Sequence, residues 1–305
     1  MSPSPQEVKS PTCRGDPFRV RMARTSCGVH AWKDVGSVRR PSWAPSEVDL
    51  SRPSAARVYD YYLGGSHNFE VDRRMAREAI SMWPELPAIM QSNRAFLRRA
   101  VRYLARQGIT QFLDIGSGIP TVGNVHEVAY ECDSMARVVY VDSDPVAVAH
   151  SRAILAGDER TTVVRADLRE PDTILDDPTV QAAIDLEQPV AVLMIAVLHF
   201  VPDQDDPFGA VAQVRDRLAA GSHLVLSHAS AEGRPEVAGS HRELYSRTPT
   251  PMTMRSRAEI ARFIDGFELV EPGLVWLPLW RQDSPYSDVD QPERTTGFAG
   301  VGRTG

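Results

Sequence analysis

The chain has 305 residues, 42% of them hydrophobic and 24% charged, and a formal net charge of −6. Such a composition suits a globular domain: no apolar run approaches the ~20 residues of a membrane helix, and the negative balance gives no general attraction to nucleic acid. Lys9 and Lys33 are the only lysines, which tells against a Walker A loop, a Schiff-base enzyme and a pyridoxal-phosphate enzyme, since each needs a lysine amine at its site.

Residues 1–50 are rich in Pro, Ser, Arg and Gly without helical or strand periodicity, and read as a disordered tail lacking the apolar core of a secretory signal. Met22 offers a later start, so an upstream extension competes there with a functional arm. Cys13, Cys27 and Cys132 form no CxxC pair, and their odd number and wide spacing point to a reducing cytoplasm. Cys132 reads as a small core residue. Order is expected from Pro53, with Ser54 capping a helix through Ala55, Val58, Tyr59 and Tyr62 that Gly64 and Gly65 stop. Helical patterns follow over Val71 to Met82 and from Ile89 to Leu104, ending at Gly108. Residues 51–108 therefore form a helical cap before a core over 109–305.

From residue 111 short apolar runs alternate with amphipathic helices, as in a parallel sheet covered on both faces. Five such strands are predicted: Gln111 to Ile115, Val138 to Val141, Thr162 to Arg165, Val190 to Val197, and His223 to Ser227. Asp144 before Pro145, Asp206 before Pro207, and Ser256 with Glu259 signal helix starts. Phe267 to Leu279 and Thr295 to Val301 are strand-like with no helix between them, and are expected to pair antiparallel as a hairpin. The fold class is α/β: a mostly parallel seven-stranded sheet with an antiparallel C-terminal strand, helices on both faces, and the N-terminal cap.

The first strand runs into FLDIGSGIPTVGN, a strand, glycine turn and helix unit in which Gly116 and Gly118 permit unusual backbone angles and spare a ligand the Cβ atoms. A helix is expected from near Asn124, with Glu127 completing its cap. The second strand, VVYVD, closes at Asp142, about 24 residues beyond Gly118, where a carboxylate can accept both hydroxyls of a ribose while Asp144 caps the next helix. Asp167, after the third strand, can accept a hydrogen bond from an adenine amino group. In an open α/β sheet these strand ends meet in one crevice, so three distant segments would form one nucleoside site.

GSG after an acidic strand, an acidic end to the second strand and AD after the third resemble the successive motifs of Rossmann-like (class I) methyltransferases. More narrowly, PSAARVYDYYLGGSHNFEVDR, NRAFLRRAVRYLARQGITQFLDIGSGIPT, VVYVDSDPVAVAHSRAIL and PVAVLMIAVLHFVPD are similar to a bacterial S-adenosyl methyltransferase family of unassigned substrate, over residues 52 to 303. The resemblance implies S-adenosyl-L-methionine as cofactor, with Asp114 orienting its ammonium group, Gly116 and Gly118 under its methionine portion, and Asp142 and Asp167 on sugar and base. The expected activity is methyl transfer to a small-molecule acceptor in the cytoplasm, without nucleic acid or membrane as partner. A non-catalytic sensor that binds the same cofactor, or a partner-binding protein, is the first rival. An NAD-dependent oxidoreductase is the second, weakened because Thr121 holds the third glycine position of a GxGxxG pattern and Gly123 is displaced by two residues.

For acid–base work the candidate is His199 in VLMIAVLHFVPD, expected at the end of the fourth strand facing the crevice. Asp203 shares its loop. His223 and His228 are five apart on one strand and point to opposite faces, so no metal site is expected. Tyr62, His67 and Asn68 surround the Gly64–Gly65 pair, which reads either as the hinge of a lid contributing to the acceptor pocket or as a helix stop followed by an N-cap at Asn68.

Overall fold

The computed structural model describes residues 46, 49–120, 123–283 and 290–305. The tail expected over 1–50 lies outside them apart from Ser46, Asp49 and Leu50, as do both lysines, Cys13, Cys27 and Thr121. Three helices come first, α1 (Ala55–Tyr62), α2 (Glu70–Met82) and α3 (Leu86–Arg106). The alternating core follows as β1 (Gln111–Ile115), α4 (Val125–Cys132), β2 (Arg137–Asp142), α5 (Pro145–Ile154), β3 (Thr161–Arg165), α6 (Pro171–Leu175) and α7 (Pro178–Ala183). It continues through β4 (Ala191–Ile195), α8 (Pro207–Asp216), β5 (His223–Ala229), α9 (Pro235–Tyr245) and α10 (Arg257–Ala261) to β6 (Glu268–Leu269), β7 (Val275–Trp276) and β8 (Gly297–Arg303).

The strand order is β3-β2-β1-β4-β5-β8-β6, with β7 also on β8. The first five strands are parallel, and β8 runs antiparallel between β5 on one side and β6 and β7 on the other. The expected C-terminal pairing is therefore present, but its first member is split in two, giving eight strands among the described residues where seven were expected. Pro272 and Gly273 lie at the break, where a residue without an N–H cannot continue the ladder. β8 also pairs along its length with β5, so the hairpin is built into the sheet rather than appended to it.

Successive residues of the central strands feed opposite faces, as a period of two requires. Leu113, Val139, Val192 and Leu224 join a core with α8 and α10 on one face. Phe112, Val138, Leu193 and Val225 join a second with α3, α4 and Trp280 on the other. The N-terminal helices have a core of their own, in which Val58, Tyr62, Met75, Trp83 and Leu86 pack with Leu244 and Tyr245 of α9.

The helix starts follow their local chemistry. Asp144 accepts from the amides of Val146 and Ala147, Asp206 from that of Gly209, and Ser256 and Glu259 form a capping box. Two expectations need correction. β4 stops at Ile195 rather than Val197 because Ala196 takes a left-handed conformation, φ 56°. Cys132 is exposed rather than a core residue, because the buried stripe of α4 ends at Ala129 and Cys132 is the helix's last residue.

Candidate functional site

The C-terminal ends of the parallel strands open into a cleft of about 370 Å³. Asp114, Gly116, Gly118, Asp142 and Asp167 all line it, so the five residues drawn from three strand ends are brought together. Asp114 is buried within β1, with Tyr140 and Leu193 as its neighbours on the adjacent strands. Burial pushes its pKa up to about 7, with Arg94 opposing and Asp142 adding to the rise.

Gly116 is required twice over. Its φ is +76°, and a Cβ there would stand 2.4 Å from Cγ2 of Val197. The atom it makes room for thus belongs to the protein and not, as the glycine turn alone suggests, to a ligand. Beyond it the amide of Gly118 donates to Oδ2 of Asp142 at 2.7 Å, and the amide of Asp144 donates to Oδ1 at 2.8 Å. One carboxylate thereby fixes the glycine turn to the end of β2. Burial raises the pKa of Asp142 to about 6 despite these bonds.

Asp144 has a second task that its capping role did not reveal. Its Oδ2 accepts from the Ser54 hydroxyl, and Arg57 approaches it at 3.8 Å. Arg57 in turn pairs at 3.0 Å with Asp72, which also accepts from the amides of Ser54 and Phe69. This buried network fastens the start of α1 against the cleft, and Ser54, Ala55, Arg57 and Tyr59 form part of its wall. Asp167 is clamped at 2.5 Å by Arg169, which holds its pKa below the ordinary carboxylate value.

Arg94 and Asn93 of α3 were not singled out from the sequence, yet both line the cleft. Arg94 is buried, donating to Asn124 at 3.0 Å, and its Nε has no partner among the described residues. Asn93 accepts from the Ser227 hydroxyl at 2.6 Å and donates to the Tyr59 hydroxyl at 2.9 Å. The available signal was a polar pair in register with the apolar stripe of Leu97, Ala100, Val101 and Leu104, where polar side chains are costly unless partnered.

His199 does not face this cleft. It lies in a short turn, Leu198–Phe200, four residues past the end of β4, and lines a second, smaller cavity of about 60 Å³. The two spaces share Ala55, Tyr59, Asn93, Ala196 and Phe200 as a common wall. Nδ1 of His199 accepts from the amide of Ala229 at 3.3 Å. Because an amide can only donate, Nδ1 carries no proton and the neutral ring is protonated at Nε2. Burial, with His228, Arg255 and His241 nearby, holds its pKa well below the ordinary histidine value. In this tautomer the ring's remaining hydrogen-bonding atom, Nε2, is a donor. His228 is fully engaged, with Nδ1 on the carbonyl of Ala229 at 2.8 Å and Nε2 against Nη1 of Arg255 at 2.9 Å, and Arg255 reaches out from this buried pair to the exposed carboxylate of Asp203 at 2.6 Å.

Tyr62, His67 and Asn68 line neither space. Tyr62 is in the cap's own core, and the ring of His67 packs 4.0 Å from that of His150. Asn68 donates to Asp60 at 2.7 Å and to the carbonyl of Gly65 at 3.0 Å, closing the glycine turn upon itself. The N-cap of α2 is Phe69, not Asn68, and Asp72 accepts from its amide. A Cβ on Gly65 would lie 2.0 Å from Asp60, so this glycine is there for close packing. The glycine turn sits at the end of α1 remote from the cleft, which the helix meets with its first residues. Among the described residues no cluster of His, Cys, Asp and Glu could hold a metal ion.

The model of a family described as S-adenosyl methyltransferase matches residues 41–305 of this chain. Among solved structures, a DUF574-family protein from Streptomyces avermitilis is 40% identical over 84% of this chain and 99% of its own, with a TM-score of 0.81. A protein from Thermobifida fusca, provisionally described as a methyltransferase, is 42% identical over 87% of this chain and 99% of its own, also with a TM-score of 0.81. No curated protein matches the chain.

Proposed function

This chain belongs to the S-adenosyl methyltransferase family, and on that footing we propose that its strand-end cleft binds S-adenosylmethionine and delivers the methyl group to a small-molecule acceptor. When bound, the cofactor supplies an already activated methyl: the acceptor's lone pair forms the new bond to carbon while the carbon–sulfur pair returns to sulfur.

The residues present suit that cofactor. Asp114 faces the cleft and hydrogen-bonds to no described residue, so it is free to hold an ammonium group, and the unpartnered Nε of Arg94 suits the methionine carboxylate. Asp142 keeps accepting capacity beyond the amides of Gly118, Ser143 and Asp144 for the ribose hydroxyls. Asp167 adjoins Ala166 and Leu168 in the same wall and is assigned to the amino edge of adenine, sharing its carboxylate with Arg169. The start of α4 suits a nucleoside without phosphates: Glu127 accepts from the amides of Gly123 and Asn124, so a carboxylate already occupies the place a pyrophosphate would need.

The chain's contribution to the reaction is alignment and exclusion of water, and orientation alone can supply roughly 7–11 kcal/mol. No general base is assigned, since Nδ1 of His199 is occupied and Nε2 already holds its proton. A small acceptor fits the enclosure of the cleft by α1, α3, Pro249 and Thr250. A cytoplasmic setting belongs to the same reading, supported by the exposed free thiol of Cys132; among the described residues no helix is long and apolar enough to cross a membrane.

The single observation that carries the reading is the convergence of Asp114, Gly116, Gly118, Asp142 and Asp167 on one cleft. Calorimetry with S-adenosylmethionine should give one site per chain, weakened about tenfold to a hundredfold by Asp142→Asn, as expected for charge-assisted hydrogen bonds. S-adenosylhomocysteine should accumulate when a metabolite extract is added. Binding unaffected by Asp142→Asn would remove the site assignment, and absence of turnover across extracts would remove the catalytic one.

A further inference from the structure

The second cavity lies directly behind the wall that bounds the cleft, and its composition differs from the cleft's. Trp83, His199, His241, Tyr245, Met252 and Met254 line it. Flat rings and flexible thioethers make a surface that grips a planar apolar body. His241 meets Trp83 edge-on, with ring centroids 5.4 Å apart, and lies 4.9 Å from Tyr245. The volume of about 60 Å³ holds several waters at ~10–15 Å³ each, and a single ring enters as the flexible side chains of Met252 and Met254 give way.

Two buried polar atoms of that lining have no partner among the described residues. Trp83 Nε1 and His241 Nδ1 are buried with no hydrogen bond. His199 presents Nε2–H, because its other nitrogen accepts from Ala229. Trp83 Nε1 and His199 Nε2 can only donate. A buried donor left without an acceptor is costly, and Trp83 Nε1 is one, so an acceptor brought into this space completes the site.

The wall shared with the cleft is itself ordered by polar contacts. Ser227 accepts from the amide of Ala196 at 3.0 Å while donating to Asn93, which donates to Tyr59. Ala196, in its left-handed conformation, stands where the two spaces meet. A strained non-glycine residue persists only where its surroundings fix it, and here they fix the edge between cofactor and neighbour.

We propose that this cavity is the acceptor subsite, and that it takes a single planar, largely apolar ring bearing a hydrogen-bond-accepting oxygen or nitrogen, oriented by donation from His199 Nε2 and Trp83 Nε1. The inference rests on the cleft being the cofactor site. Under it His199 is a binding residue that selects for an acceptor atom on the ring.

The test uses the full chain saturated with S-adenosylhomocysteine and three ring probes: phenol, which has plane and oxygen; toluene, which lacks the oxygen; and cyclohexanol, which lacks the plane. Phenol should bind at least about fivefold more tightly than either of the others, the scale of one hydrogen bond. His199→Asn keeps an oxygen able to accept from Ala229 but removes the Nε2 donor, and Trp83→Phe keeps the ring but removes its N–H. Each should weaken phenol about fivefold, leave toluene within twofold, and leave S-adenosylhomocysteine affinity unchanged. Crystals soaked with phenol should show the ring between Trp83 and Tyr245. Equal binding of the three probes, indifference of phenol to both substitutions, or a ring bound elsewhere would overturn the proposal. Loss of S-adenosylhomocysteine binding to the unaltered chain would instead overturn the cofactor reading on which it stands, so the two failures are separable.

Discussion

The cleft and the cavity behind it are neighbours sharing one wall, yet they are built on opposite plans. The cleft takes its key residues from the tips of β1, β2 and from just beyond β3, one carboxylate at each. The cavity draws on the end of α2, the turn after β4, α9 and the stretch before α10, with rings and methionines in place of carboxylates. Strand order alone determines the first arrangement, because parallel strands deliver their C-terminal ends to one edge of the sheet. The second depends on how the cap packs on α9. A nucleoside site can thus stay with the sheet while the neighbouring space is set by the cap.

The sharpest way to break this contrast is at Gly116, where cleft and sheet are inseparable. Gly116→Ala should destabilise the protein by roughly 2–4 kcal/mol, combining a strained positive φ with overpacking against Val197, as read by denaturant unfolding. Cofactor binding should be lost with it. A stable variant that binds normally would show that the turn is not the rigid element described.

The two spaces should also differ in their response to pH. In the cleft burial raises the pKa of Asp114 to about 7 and of Asp142 to about 6. Both folded values lie above the ordinary 3.8, so the folded protein holds more protons than the unfolded chain between roughly pH 4 and 7 and loses stability as pH rises through that window. Cofactor affinity should run the other way, since the ammonium and ribose need the charged forms. It should rise with pH by about tenfold per unit for each proton that must leave, then level off above about pH 7. Calorimetry across that range checks this, and Asp114→Asn should flatten the upper part of the profile. Burial holds His199 well below the ordinary histidine value, so phenol binding in the cavity should not follow the same curve.

A smaller effect separates the glycine turn from both spaces. Asn68→Ala removes a donor from buried Asp60 and should cost about 1–3 kcal/mol of stability. S-adenosylmethionine affinity should stay within twofold of the unaltered chain. A larger fall in affinity with unchanged stability would restore the lid reading.

What could be read in advance follows the same division. The alternating apolar runs, the Asp144, Asp206 and Ser256 caps, and the acidic tips Asp114, Asp142 and Asp167 are local signals, and a parallel sheet turns them directly into positions. Positions fixed by tertiary packing were harder to read. His199 looked aimed at the crevice because it follows β4 closely, but the left-handed Ala196 and the short turn after it rotate the ring to the other side. Tyr62, His67 and Asn68 form a polar cluster in sequence, but Tyr62 packs into the core of the N-terminal helices and the other two close a turn on Asp60. Arg94 and Asn93 went unremarked because polar residues on a long helix are ordinary until its buried stripe is known. The splitting of the last strands at Pro272 was legible as a proline, but not the way β8 takes both pieces.

The most direct test of the central claim is a crystal structure of the chain with S-adenosylhomocysteine. The ribose hydroxyls are expected on the carboxylate of Asp142, the amino group at Asp114, and the sulfur directed at the wall formed by Tyr59, Asn93 and Ala196. A nucleoside bound away from β2, or with its sulfur turned from that wall, would contradict it.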